Sequence, residues 1–87
     1  MMFIETKTGI TELTGSDFRV LAVDRSPGTW ELRLWRATDL ESCSYEVLAT
    51  GTEPECRATL KYIMTIMERV NPPMVIRRDW YMAEEES

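Results

Sequence analysis

The chain contains no histidine, and this single absence removes several kinds of chemistry. Histidine is the most frequent general base, and Ser–His and Cys–His pairs use it to activate the nucleophile. It is also the most frequent metal ligand among side chains. The two cysteines, Cys43 and Cys56, cannot fill a tetrahedral zinc site unless two chains share it. We therefore expect a protein that is not an enzyme and that holds no metal or cofactor.

Long apolar runs and paired cysteines are also missing. Two cysteines cannot build a disulfide framework, and no apolar run approaches the roughly 18 residues that a membrane span needs. The residues Met1 to Ile4 are followed at once by Glu5 and Lys7, which is not the pattern of a secretory signal. We therefore expect a cytoplasmic protein without membrane contact.

Basic residues are few, since 10 Lys and Arg stand against 15 Asp and Glu and give a net charge of -5. Binding to nucleic acid requires clustered basic side chains that neutralise phosphates. Arg77 and Arg78 lie beside Trp80 and Tyr81, but two arginines next to acidic residues are too few for this purpose. Direct nucleic-acid binding is not expected. An acidic surface suits either a basic partner or simple solubility.

Glycine-rich phosphate-binding loops are absent as well, because the four glycines all lie in turn-like settings. Paired carboxylates are the remaining route to acid–base chemistry or cation binding. Five glutamates are candidates for such a carboxylate site: Glu5, Glu12, Glu31, Glu46 and Glu55. Their alternation with apolar residues is more typical of a solvated sheet face.

What the sequence does contain is a series of strand patterns in one domain-sized chain of 87 residues. Two pairs of runs rich in β-branched and aromatic residues flank the turns Thr8-Gly9 and Pro27-Gly28, which predicts two hairpins. A fifth run precedes the helix. The predicted strands are Met2–Lys7, Ile10–Leu13, Phe18–Val23, Trp30–Arg36 and Tyr45–Ala49.

One amphipathic helix follows the strands. Thr52 and Glu55 form a predicted capping box with Pro54 in the first turn, and the pair Pro72-Pro73 ends the helix. The predicted apolar seam runs from Cys56 through Leu60, Ile63 and Met67 to Val70. Cys56 lies in the first turn, where the helix dipole can activate a thiol. Its place on the seam favours a small buried hydrophobe instead.

These elements predict an α+β fold: one antiparallel sheet of about four to five strands, with the helix packed on one face. Residues 1–82 form the predicted single domain, and 83–87 form an acidic C-terminal tail. The segment Met74 to Met82 is predicted to add a short edge strand. It can also fold back over the sheet face that the helix leaves open.

The order of elements resembles a family of small proteins from Firmicute chromosomes and their phages, rich in strands and then helical. The residues that carry the resemblance are Met2 and Ile4, Gly9, Tyr45 and Leu48, Thr52 with Glu53 and Glu55, and finally Tyr81 and Met82. The resemblance spans most of the chain and implies a gene carried by a phage or a mobile element. The family has no assigned activity, so it implies no catalytic residue.

Alternation in the strands predicts which side chains face away from the helix. Phe18, Val20, Leu32 and Leu34 are expected to face the helix, together with Tyr45 and Val47 on the fifth strand. The opposite face then mixes apolar, aromatic and arginine side chains, which is the composition of binding surfaces. The candidate interaction surface is Arg19, Leu21, Glu31, Arg33, Trp35, Glu46 and Leu48.

Two functions follow from this surface and from the missing chemistry. The first is a non-enzymatic interaction module that binds a protein partner or a second copy of itself through this face. The alternative is an acidic phage-type inhibitor, such as an anti-CRISPR or other anti-defence protein, whose carboxylates imitate phosphates and occupy the basic groove of a host nucleic-acid-binding enzyme.

Overall fold

A computed structural model describes residues 2–37 and 43–82, which form two three-stranded sheets and one main helix. The elements in chain order are β1 (Phe3–Glu5), β2 (Ile10–Glu12), β3 (Ser16–Ala22), β4 (Trp30–Ala37), β5 (Cys43–Gly51), α1 (Glu53–Met67), β6 (Val75–Ile76) and α2 (Arg78–Tyr81). The α+β class and both predicted hairpins are confirmed. The predicted acidic tail, 83–87, lies outside the described residues.

The larger sheet is a meander in the order β3-β4-β5, with antiparallel neighbours. The turn between β3 and β4 contains Pro27 and Gly28, and Gly28 has φ of +86°, a left-handed conformation that glycine adopts without steric cost. The backbone N–H of Thr29 donates to the Ser26 carbonyl at 2.9 Å and closes this turn. Consecutive strands are therefore joined locally, as the sequence predicts.

The smaller sheet has the order β2-β1-β6, so the prediction of one sheet with four to five strands is wrong. Strand β1 pairs with β2 on one edge and, in parallel, with β6 on the other, which leaves it no edge for the larger sheet. A turn after β2 separates the hairpin from β3: Ser16 N–H donates to the Leu13 carbonyl at 3.1 Å. The strands of the smaller sheet are therefore only two or three residues long.

The capping box of α1 is confirmed. The Thr52 hydroxyl accepts the Glu55 N–H at 3.3 Å, and the Glu55 carboxylate accepts the Thr52 N–H at 2.9 Å. The helix ends at Met67, however, and Val70 is 95% exposed, so the predicted extension of the seam to Val70 is wrong. Arg69 N–H donates to the Ile66 carbonyl at 3.2 Å, an i→i−3 contact that tightens the last turn and ends the helical pattern before Pro72.

One apolar core joins the two sheets and the helix. Cys56 and Ile63 lie on the predicted seam and are buried, whereas Ile66 is a buried helix residue that the predicted spacing omitted. The helix contacts β3, β4 and β5, so it covers one face of the larger sheet. The fully buried side chains of the core are Ile4, Leu32, Leu34, Cys56, Ile63, Ile66 and Ile76.

Candidate interaction surface

The face of the larger sheet that points away from α1 is set first by β3 and β4. Leu32 and Leu34 are completely buried under the helix. Their neighbours in sequence therefore point to the opposite side, because side chains alternate along a strand. The register places cross-strand partners side by side on that opposite face: Asp17 with Trp35, Arg19 with Arg33, and Leu21 with Glu31. Five predicted surface residues thus share one face: Arg19, Leu21, Glu31, Arg33 and Trp35.

Strand β5 departs from the prediction because its pairing with β4 contains a β-bulge. Leu32 pairs with Ala49 but Arg33 pairs with Val47, so Leu48 is an additional residue without a partner. A bulge of one residue exchanges the two faces of the strand beyond it. Leu48 is only 2% exposed and belongs to the core. Its predicted place on the interaction surface is therefore wrong.

The same bulge corrects three other positions of β5. Glu46 pairs with Leu34 and so lies on the helix side, where its carboxylate accepts a hydrogen bond from the Thr8 hydroxyl at 2.9 Å. Tyr45 pairs with Trp35 and Val47 with Arg33, which places both on the open face rather than toward the helix. We define the outer face as the residues Asp17, Arg19, Leu21, Glu31, Arg33, Trp35, Tyr45 and Val47.

The sequence contains a signal for this bulge that the prediction did not use. Val47, Leu48 and Ala49 are three consecutive apolar residues, which breaks the alternation of a strand with one buried face. Consecutive apolar residues are expected where a bulge turns two neighbouring side chains toward the core. Asp17 was missed for a different reason, since the turn composition of residues 14–17 hid the start of β3 at Ser16.

Aromatic rings and guanidinium groups stack across the outer face. The rings of Trp35 and Tyr45 lie 4.8 Å apart at an angle of 36°. The Arg19 guanidinium lies 5.5 Å from the centre of the Trp35 ring, and that of Arg33 lies 4.4 Å from the centre of the Tyr45 ring. Such cation–π contacts each contribute about 0.5–1 kcal/mol at exposed sites. The four side chains form one connected group.

Arg19 and Arg33 are cross-strand partners of equal charge, and each has an acidic neighbour two residues away. Arg33 is tightly paired with Glu31 at 2.8 Å, and their side chains are only 18% and 20% exposed. Arg19 and Asp17 are 3.8 Å apart with 56% and 74% of their side chains exposed. The side chains of Arg33 and Glu31 are therefore largely shielded from solvent, whereas those of Arg19 and Asp17 on β3 are accessible to a binding partner.

The Trp35 indole Nε1 is the most unusual atom of this face. It is buried, and among the described residues it has no hydrogen-bond partner. A buried N–H donor without a partner costs about 1–3 kcal/mol of stability. Folded proteins leave few such groups, and each one calls for a structural or functional reason.

The C-terminal segment adds the short edge strand that the sequence predicts, since Val75 and Ile76 pair with β1 at the edge of the smaller sheet. This pairing places the strand in the smaller sheet and not over the outer face. The short helix α2 follows and contacts α1. Met82 reaches the free edge of β5, where it lines a concavity together with Lys7 and residues 47–50.

Glu5 holds this C-terminal segment in place. Its carboxylate accepts hydrogen bonds from the Arg78 backbone N–H at 2.9 Å and from Arg77 Nε at 3.0 Å. These two contacts, with the hydrogen bond from the Arg78 N–H first, lower the pKa of Glu5 below its ordinary value. The Tyr81 hydroxyl donates to the Glu5 carbonyl at 2.6 Å, and its burial raises the pKa of Tyr81 to about 12. We call this group the Glu5 clasp.

The remaining candidate groups have structural surroundings. Cys56 is 1% exposed, so its prediction as a buried hydrophobe is confirmed; burial is the main cause of its raised pKa, which opposes thiolate formation. Within residues 2–37 and 43–82, no group of three or more Cys, Asp or Glu side chains is arranged to hold a metal ion. The helices in the described part of the chain are too short or too polar to cross a membrane.

Comparison of the chain with protein-family models, with curated proteins and with solved structures finds no match. The resemblance to small phage and Firmicute proteins therefore stays a prediction.

Proposed function

We propose that this protein is a non-enzymatic interaction module that binds another protein, or a second copy of itself, through the outer face. The observation that carries the proposal is the stacked group of Arg19, Trp35, Tyr45 and Arg33 on the sheet face opposite α1. Trp, Tyr and Arg are the residues most enriched among those that dominate binding energies at protein interfaces.

The solvent exposure of side chains around Trp35 supports the same proposal. Tyr45 is 45% exposed, and the Arg19 and Asp17 side chains keep more than half of their accessible surface. They surround Trp35, whose indole N–H lacks a partner among the described residues. An aromatic centre with a charged rim is the common anatomy of a protein interface.

The alternative, an acidic inhibitor that imitates nucleic acid, has less support from the side-chain contacts. A phosphate mimic needs free carboxylates on its surface. Here Glu5, Glu31, Glu46, Glu53 and Glu55 each accept hydrogen bonds from groups of the same chain. The proposed origin in a phage or mobile element rests on the resemblance alone, and phage structural genes or an integrase gene beside this gene would support it.

Capture of partners with matched variants tests the proposed surface. Tyr45 and Tyr62 are 45% and 44% exposed, but only Tyr45 lies on the outer face. We expect Tyr45→Ala to reduce binding of the captured partner by at least roughly tenfold. Tyr62→Ala on the helix should leave binding unchanged. Trp35→Glu should abolish it.

Equal binding by the wild type and both alanine variants would contradict the proposal, and so would a wild-type protein that stays monomeric and captures no specific partner. Circular dichroism spectra of the wild type and the three variants establish that a loss of binding is not a loss of fold. Binding that survives the change from low to physiological salt would favour the aromatic face, while binding that collapses would favour the acidic mimic.

A further inference from the structure

We propose that two copies of this chain join edge to edge through β3, in an antiparallel register centred on Phe18. In this register, Asp17 of each copy faces Arg19 of the other. The inference goes beyond the proposed function, because the contact lies at the edge of the larger sheet and leaves the outer face of each copy accessible.

Among the described strands, β3 is the long edge strand that pairs with its neighbour without a bulge. The outer strands of the smaller sheet, β2 and β6, are only three and two residues long. The edge of β5 carries the bulge at Leu48 and is flanked by Lys7 and Met82. Short strands, bulges and neighbouring side chains are the usual protections of a sheet edge. Strand β3 has seven residues and neither a proline nor a bulge in its pairing with β4.

The hydrogen bonds of the hairpin show which backbone groups of β3 point outward. Val23 N–H donates to the Thr29 carbonyl at 2.8 Å, so Val23 turns its backbone toward β4. Alternate residues of an antiparallel strand point to the same side. Asp17, Arg19 and Leu21 therefore bond to β4, while Phe18 and Val20 turn their N–H and C=O groups to the free edge.

This alternation favours a two-fold axis at Phe18. Two antiparallel strands that meet at Phe18 exchange both hydrogen bonds of a narrow pair, because the N–H and C=O groups of Phe18 point outward in each copy. Val20 N–H then meets the free carbonyl of Ser16 of the second copy. The Phe18 rings lie on the helix side and form a cross-strand aromatic pair, which adds to the stability of sheet contacts.

The charges select this register over its neighbours. Centred on Phe18, the pairing sets Asp17 opposite Arg19 of the second copy, and the two-fold symmetry repeats the contact. Centred on Arg19, it sets two arginines opposite each other, which is unfavourable. Centred on Val20, it leaves Arg19 opposite Leu21. The exposed and loosely paired side chains of Asp17 and Arg19 are free to exchange partners in this way.

The edge contact also enlarges the outer face. Three strands spaced about 4.8 Å apart and some seven residues long present roughly 340 Å² of sheet face, which is less than the roughly 800 Å² per partner of a stable interface. A six-stranded sheet doubles the continuous face and sets two stacked groups of arginine and aromatic side chains side by side. The dimer thus supplies a surface on which a further protein can bind.

Charge reversal tests both the contact and the register. Asp17→Arg places two arginines on the edge, and Arg19→Asp places two aspartates there. Sedimentation equilibrium over a concentration series should show the wild type approaching twice its mass of 10.1 kDa. We expect each single variant to raise the dissociation constant by at least roughly tenfold. An equimolar mixture of the two variants should restore dimers, as should the double variant Asp17→Arg/Arg19→Asp.

A wild type that stays monomeric at every concentration would overturn the proposal, and a mixture of the two variants that fails to dimerise would overturn the register. Dimers that are insensitive to both single variants would overturn it as well, because the edge would then not be the contact. Both sites are exposed, and circular dichroism of each variant checks the fold. Tyr45 lies on β5, at the far side of the sheet from the proposed edge contact. If Tyr45→Ala loses partner capture and the wild type forms no edge dimer, the proposed function is supported and the edge dimer is refuted.

Discussion

The two sheets of this protein use polar side chains in opposite ways. In the smaller sheet, the Glu5 carboxylate is paired with Arg77 and with the Arg78 N–H, and the Tyr81 hydroxyl bonds to the backbone of the same residue. These contacts join residues more than 70 positions apart. In the larger sheet, the most exposed charged pair, Asp17 and Arg19, is local and loose.

The difference follows from how each sheet is connected. Strands β3, β4 and β5 follow one another in the chain with few residues between them, so closing this sheet costs little loop entropy. The smaller sheet joins the two ends of the described chain, and its pairing with β6 covers only two residues. Side-chain contacts must then offset the cost of a long closure. The larger sheet has no such need, and the side chains of Asp17 and Arg19 stay exposed at its edge.

The largest expected effect comes from removing core side chains of either sheet. Ile4→Ala in β1 and Leu34→Ala in β4 should each lower the free energy of unfolding by about 2–5 kcal/mol, because both side chains are completely buried in one core. Urea denaturation monitored by tryptophan fluorescence and by circular dichroism measures both. Two transitions, or a small effect of Ile4→Ala alone, would mean that the sheets unfold separately.

The next effect concerns the Glu5 clasp and depends on pH. The folded state lowers the pKa of Glu5, so the clasp stabilises the protein above the ordinary pKa of a glutamate, and this stability is lost as the pH falls through the lowered value. Glu5→Gln should reduce the melting temperature at neutral pH. The difference from the wild type should shrink as the pH falls into the range where Glu5 is protonated.

Glu12→Gln is the control for this experiment, since Glu12 lies on the neighbouring strand β2. Its melting temperature should follow that of the wild type across the same pH range. A difference between Glu5→Gln and wild type that stays constant down to low pH would show that the charge of Glu5 is not what holds the C-terminal segment.

The smallest expected effect concerns the exposed charged pair of the larger sheet. Arg19→Ala removes a side chain that is 56% exposed, together with one cation–π contact and one loose ion pair. We expect a loss of about 0.5 kcal/mol in the free energy of unfolding, together with impaired self-association. A loss as large as that of the core variants would show that Arg19 stabilises the fold rather than an interface.

Local signals account for most of what could be predicted about the fold. Thr52 and Glu55 specify the start of α1 within the sequence itself, and Pro27-Gly28 specifies the turn between β3 and β4. The end of α1 was placed too late because the apolar spacing continues to Val70. The i→i−4 hydrogen bonds already stop at Arg69, whose N–H bonds to the Ile66 carbonyl, so Val70 lies beyond the helix.

The candidate surface was predictable on two strands and not on the third. On β3 and β4, plain alternation placed Arg19, Arg33 and Trp35 correctly on one face. On β5, the prediction placed Leu48 and Glu46 on the wrong face. Alternation assumes an uninterrupted strand, whereas a bulge reverses which side chains beyond it face the core. The composition of the surface changed little, since Tyr45 and Val47 took their places.

The sequence by itself determined the absence of histidine, the hairpins and the capped helix, because each depends on residue types or on neighbours a few positions apart. Only the tertiary structure decided that the strands divide into two sheets, that β6 pairs with β1, and that Tyr45 joins Trp35 on the outer face. These features depend on which distant backbone groups meet. A strand carries the same alternating pattern whichever partner it finds, so its register and its neighbours are set by the packing of the whole chain.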